Sequence, residues 1–336
     1  MERLDKRAPF TATGGIIPPE FQNIKTPCYI LDEKALIENA KLLGEVAERT
    51  GCKMLLAQKA FSNYDCYPFF EPYLTGTEAS GLYEARLGAE EMPGKEVHVF
   101  CAGYRADEFE ELLQYADHIV FNSPSQLLRF GRMAKEAGKS VGLRINPECS
   151  TQEGHAIYDP CAPGSRMGTT RAQWEAAVKM HPDLTGLLDG IHFHTLCEQD
   201  SSDLETTLAA VKVKFGDLIS QVKWLNLGGG HHITRPGYDI ARLEKCIEAA
   251  KEEWKVDIYL EPGEAWALNA GFFLTTVLDV LQNGDTRLAI LDGVLHVICR
   301  TFWKCLTVRP FLEQGSQERM PLQSVLEDQP VCPGML

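Results

Sequence analysis

Residues 53–59 read KMLLAQK, an apolar run ending in glutamine and lysine, and runs of this type recur seven times along the chain. They are GTEAS (76–80), VHVFCA (97–102), HIVFNS (118–123), VGLRIN (141–146), GIHFHT (190–195), WLNLGG (224–229) and DIYLEP (257–262). Most are short and apolar throughout, as a strand buried on both faces requires. Longer segments of helical period lie between them. In the last, Ile240, Leu243, Ile247, Ala250 and Trp254 share one face, with charged residues between. Asp107 and Glu108 supply a charged first turn ahead of Leu112, Leu113 and Ala116. Alternating strands and helices predict a parallel sheet. Eight such units in about 200–250 residues predict a closed (β/α)8 barrel rather than an open doubly wound sheet. A dinucleotide fold would need GxGxxG after the first strand, and none is there.

The composition places the chain among soluble globular proteins, with 44% hydrophobic and 24% charged residues. A net charge of −14 repels nucleic acid and anionic membrane, which excludes a polyanionic partner. The first twenty residues lack the apolar core of a signal peptide, and no apolar stretch of about 18 residues follows. A cytoplasmic location is expected. The eleven cysteines form no CxxC pair and are expected to be reduced.

In a barrel, chemistry sits where the strands end. The polar residues ending these runs are Lys59, Ser80, Arg144, His194, the Gly228–Gly229–Gly230 run and Glu261. A lysine desolvated at a strand end has a lowered pKa and can form a Schiff base with an aldehyde. Equally, it can point to solvent. The glycine run leaves N–H groups clear for a phosphate, although such a run also makes a tight turn. His192 and His194 alternate, so both face one side. They could stack on a planar ring, bind metal as an H-x-H pair, or fill the core. Glu261 could hold a ring nitrogen protonated, and Arg144 could balance it. Glu264, three residues on, could present a negative charge to a substrate amine.

TPCYILD (26–32), LLAQKAF (55–61), SRMG (165–168), HFHTLCE (192–198), LNLGGG (225–230) and LEPGEA (260–265) together resemble the alanine-racemase-like, fold type III pyridoxal-phosphate (PLP) decarboxylases. Within these the wording is similar to the carboxynorspermidine/carboxyspermidine decarboxylases of polyamine synthesis. The resemblance runs from about residue 24 to Asp292, with Gln58 standing where an apolar residue is usual. It implies PLP on Lys59, with Ser80, Arg144, His194, Gly228, Gly229, Gly230 and Glu261 binding the cofactor and no metal. Lys59 and His194 would be the catalytic pair. Glu264 stands where diaminopimelate and ornithine decarboxylases usually carry arginine, which suits a substrate ending in an amine. The implied reaction is loss of CO2 from a carboxylated polyamine, by a cytoplasmic homodimer.

The expected organisation is an N-terminal segment (1–24) packed on a C-terminal β-domain, a barrel (25–275), and the start of the β-domain (276–292). After Asp292 the chain reads GVLHVICRTFWKCLTVRPFLEQGSQERMPLQSVLEDQPVCPGML. The resemblance implies a His-Met-Pro-Asp and a Cys-Leu-x-Gly-Asp segment there, and neither appears. Residues 293–336 therefore read as a shifted frame, with a natural divergent tail as the alternative, and as an incomplete remnant of the β-domain, with weak PLP binding and little decarboxylation expected. Two other readings compete. One is a metal-dependent hydrolase using His192, His194 and a carboxylate, with His231 or His232 offered as a further ligand. The other is a PLP-carrying barrel without catalysis.

Overall fold

Each of the eight apolar runs forms a strand, and the strands close a parallel barrel in sequence order. The computed structural model describes residue 21 and residues 23–152, 159–293 and 306–309. After β1 (Cys28–Leu31), the barrel strands are β2 (Lys53–Ala57), β3 (Gly76–Ala79), β4 (Glu96–Phe100) and β5 (His118–Phe121). They continue with β6 (Ser140–Arg144), β7 (Gly190–His192), β8 (Trp224–Asn226) and β9 (Asp257–Leu260). β2 pairs with both β3 and β9, which completes the closure. Most of these strands stop short of the polar residues that end the sequence runs. Lys59, Ser80, His194 and Glu261 therefore leave the ladder and enter loops at one barrel end.

Leu55, Val120, Trp224 and Tyr259, from four different strands, meet in the barrel interior. Trp224 lies across Gly142 and Gly190, where a Cβ would come within 2.4 and 1.9 Å of the indole. Its Nε1 donates to Ser140 Oγ at 2.9 Å. Near the strand starts, the rings of His98 and His118 stack with centroids 3.9 Å apart. His98 Nε2 lies 2.9 Å from Glu96 Oε2, which also accepts from the Tyr259 hydroxyl at 3.0 Å. The helices cover this barrel as their period requires. Ile240–Trp254 buries Leu243, Cys246, Ile247, Ala250 and Trp254, and Asp239 caps it by accepting from the Arg242 N–H. Among the described residues, no helix is long and apolar enough to cross a membrane.

The barrel belongs to a compact unit spanning Leu36–Leu268. The described residues up to Ala35 and from Asn269 onward form a second unit. In it, β1 pairs antiparallel with β10 (Gly271–Asn283), and β10 pairs with β11 (Thr286–Leu291). A register shift between Val277 and Asp279 bends β10. β12 (Leu306–Arg309) runs parallel beside β10. Asp292 accepts from the hydroxyls of Thr26 and Thr275, at 2.5 and 2.6 Å. The described ends of the span expected for the barrel, before Leu36 and after Leu268, thus belong to this second unit. The expectations for residues 1–24 and 293–336 fall almost wholly outside the described residues.

Burial, with His98 alongside, pushes the His118 imidazole from about 6.5 down to about 3. The unfolded chain then binds a proton that the native chain refuses, so stability present above pH 6.5 drains away as pH falls toward 3. Between about pH 6 and 4, the urea-unfolding free energy of His118→Gln should fall about 1.4 kcal/mol less per pH unit than that of the wild type. Equal slopes would remove His118 as the source.

Candidate active site

Lys59 lies two residues beyond β2, and its Nζ is 2.5 Å from Glu78 Oε2. Glu78 is on β3 and only 1% exposed. This pairing corrects the expectation of a lysine pKa lowered by desolvation. Desolvation favours the neutral amine, but the Lys59 side chain is itself 43% exposed, and the Glu78 and Glu261 carboxylates outweigh that effect and hold it above its ordinary value. For Glu78 the balance falls the other way. Burial and the nearby Glu261 charge overcome the pull of Lys59, and its carboxyl is pushed up to about 7.

Glu261 follows β9 directly and is 2% exposed. Asn226 Nδ2 donates to its Oε1 at 2.7 Å, and His192 Nε2 lies 3.1 Å from its Oε2. Burial would raise this carboxyl, but the His192 contact and the Lys59 charge hold it well below the usual range. Glu261 is therefore a fixed negative charge. Arg144, ending β6, is buried with its guanidinium 4.5 Å from the centre of the Phe100 ring. Its Nη2 donates to the His194 carbonyl at 3.0 Å. Burial brings Arg144 down to about 10 against the opposing pull of Glu261 and Glu78, so it remains charged near neutral pH. Burial, then Arg144 and Lys59, hold His194 far below its ordinary value, which leaves its ring neutral.

The three glycines following β8 are required by close approach. A Cβ on Gly228, Gly229 or Gly230 would meet a backbone carbonyl oxygen at 2.3, 2.5 or 2.1 Å, those of Phe193, Glu261 and Leu196. Gly228 and Gly230 also sit at φ of +71° and +81°, where glycine alone is unstrained. Asn226 ties this turn to the acid. Its Oδ1 accepts from the Gly228 N–H at 2.9 Å while its Nδ2 holds Glu261. Among the described residues, the N–H groups of Gly229 and Gly230 donate to no protein acceptor.

Lys59, Arg144, His194, the glycine run and Glu261 thus come together as the sequence predicts. Ser80 does not join them through any described contact. It is exposed, its N–H donates to Glu84 Oε2, and its carbonyl accepts from the Cys101 thiol. It lines a separate cavity of about 310 Å³ with Glu84, Cys101 and Tyr104. Glu264 opens the short helix Glu264–Ala267, and its Oε2 lies 2.7 Å from His232 Nε2. Glu198, His232 and Glu264 form one group, and His192, His194 and Glu261 another, each with possible ligand atoms within 4.8 Å. Geometry alone would admit a cation at either. His231 contributes to neither, since its Nε2 faces the Leu227 carbonyl.

Sequence reasoning missed Glu78 and Asn226. Both left a signal, a polar residue inside a short strand buried on both faces. Asn226→Leu leaves the Gly228 N–H and one Glu261 oxygen unpaired in a dry site. Chemical denaturation should register a loss of about 2–4 kcal/mol, and a loss under about 1 kcal/mol would show that the turn holds without it.

No protein-family model matches the chain. It is 39% identical over 272 residues to a carboxynorspermidine/carboxyspermidine decarboxylase of Campylobacter jejuni, covering 81% of this chain and 68% of that protein. A carboxyaminopropylagmatine decarboxylase of Synechocystis is 38% identical, over 82% of this chain and 69% of that one. The crystal structure of Campylobacter jejuni carboxynorspermidine decarboxylase complexed with norspermidine superposes with a TM-score of 0.72 at 37% identity, covering 81% of this chain and 69% of that chain. The convergence of strand-end residues and this degree of likeness agree, and the chain belongs to the carboxynorspermidine/carboxyspermidine decarboxylase family.

Proposed function

We propose that this chain uses pyridoxal 5'-phosphate to remove CO2 from carboxynorspermidine or carboxyspermidine. The observation that carries the reading is the meeting of Lys59, Glu261 and the Gly228–Gly230 turn at one end of the barrel. The residues fit the cofactor group by group. The Gly229 and Gly230 N–H groups suit a phosphate, and the backbone there is too crowded for any side chain to fill the cradle. A carboxylate held ionised by Asn226 and His192 suits a pyridinium nitrogen. When bound, the cofactor supplies an electron sink for the pair left behind by the departing carboxylate.

The chain's own residues supply the rest. Lys59 holds the cofactor covalently through Nζ. Glu261 keeps the ring nitrogen protonated, and Arg144 offsets the charge that Glu261 brings into a dry site. His194, neutral, can lie against a flat ring without adding a competing positive charge. Glu264, held by His232 and near Glu198, offers negative charge to the far amine of a polyamine. The decarboxylase reading is preferred to a hydrolytic metal centre because it also uses Lys59 and the glycine turn, which a His192–His194–Glu261 metal site would leave without a task.

Borohydride reduction of the loaded protein should fix one pyridoxyl-phosphate mass on the peptide carrying Lys59 and none in Lys59→Ala. An unlabelled wild type would return the site to a metal centre. Norspermidine should perturb the cofactor absorbance of the loaded protein, and Glu264→Gln should weaken that binding at least about tenfold. An unchanged affinity would remove Glu264 from the substrate site.

A further inference from the structure

Three segments leave the barrel mouth side by side: the loop after β7, the turn after the glycine run, and the short helix after β9. Glu198 lies four residues beyond His194, His232 two beyond Gly230, and Glu264 three beyond Glu261. The backbone holds the first two together. The Gln199 N–H donates to the Gly230 carbonyl at 3.0 Å, and the His232 N–H donates to the Gln199 carbonyl at 3.3 Å. His232 Nε2 then meets Glu264 Oε2 at 2.7 Å, and the possible ligand atoms of Glu198, His232 and Glu264 all lie within 4.8 Å of one another.

The charges of this group do not balance. Arg235 pairs with Asp200 at 2.9 Å and reaches only the backbone carbonyl of Glu198. Among the described residues, the Glu198 carboxylate has neither a hydrogen bond nor an ion pair. The His232 side chain is 9% exposed, and its buried Nδ1 has no hydrogen-bond partner among them either.

The spacing suits a single nitrogen. An ammonium carries three N–H donors, and its contacts with carboxylate oxygens run about 2.8 Å. Two oxygens at that distance on a tetrahedral nitrogen are about 4.6 Å apart, inside the span that the group occupies. Carboxylates this close repel each other until a cation enters between them.

Resting on the reading of Glu264 as the acid that meets the far amine of a polyamine, we propose that Glu198 is a second specificity-determining residue and shares that one ammonium with Glu264. The pair selects a substrate that ends in a charged amine. A chain ending in a methyl group would leave both acids without a counter-charge.

The test titrates the cofactor-loaded full chain, through the cofactor absorbance, with norspermidine and with N-propyl-1,3-diaminopropane. The second ligand keeps two of the nitrogens and ends in a methyl group. Wild type should hold norspermidine at least about tenfold more tightly than the propyl amine. Glu198→Gln should lose at least about tenfold for norspermidine and stay within about twofold for the propyl amine. Glu198→Lys should lose still more for norspermidine. An equal loss for both ligands is what a merely structural role gives, and it overturns the proposal. So does an unchanged norspermidine affinity in either variant. The two readings separate cleanly. Weakened binding in Glu264→Gln with none in Glu198→Gln sinks only the role of Glu198, whereas a wild type that holds both ligands equally sinks the far-amine reading and this inference with it.

Discussion

Charge balance in a dry site governs the barrel mouth. Glu78 and Glu261 are 1% and 2% exposed, so water cannot solvate either one. Their compensation comes from Lys59, Arg144, His192 and Asn226, and these six residues arise from the ends of β2, β3, β6, β7, β8 and β9. Strands this far apart in sequence meet only if the barrel closes in the observed order. The same closure that buries the carboxylates also delivers their partners, so the ionic site and the fold stand or fall together.

The balance is uneven, and the unevenness is useful. Glu261 receives a donor on each oxygen and is held ionised, whereas Glu78 depends on one lysine. Two carboxylates in one cavity, with environments that push their pKa values in opposite directions, are suited to different tasks. One can act as a fixed charge toward a ring nitrogen. The other can exchange a proton. Asn226 fixes which is which, because the same amide that donates to Glu261 also receives the Gly228 N–H that shapes the glycine turn.

Much of this was legible before any coordinates. Eight short apolar runs, each followed by polar residues, announced both the barrel and the rim on which Lys59, Arg144, His194, the glycines and Glu261 gather. The charge state of Lys59 was not legible, because it depends on Glu78, nineteen residues away on the neighbouring strand. A one-dimensional reading gives burial but not pairing, and here the pairing reverses the sign of the shift. Ser80 ends a strand run like the others, and there the structure adds only that its backbone bonds to Glu84 and Cys101 beside a cavity those residues also line. The division between units was hidden as well, since β1 pairs with β10 across some 240 residues of intervening barrel. No local pattern encodes so distant a partner.

The opposite end of the barrel shows what the mouth gives up. There Trp224 spreads over two glycines and Tyr259 joins the cluster, while Glu96 is held by His98, Tyr259 and Lys53. Its carboxyl sits at about 2, with burial overruled by His98 first and then Lys53 and His118, so it carries a settled charge across the neutral range. Nothing at that end is left to change state near pH 7 on account of Glu96. At the mouth, Glu78 is pushed to about 7, and its carboxylate has one hydrogen-bond partner among the described residues, Lys59. The settled charge thus lies at one end of the barrel and the poorly balanced acid at the other. That separation lets a single closed sheet hold a settled charge at one end and a titrating acid at the other.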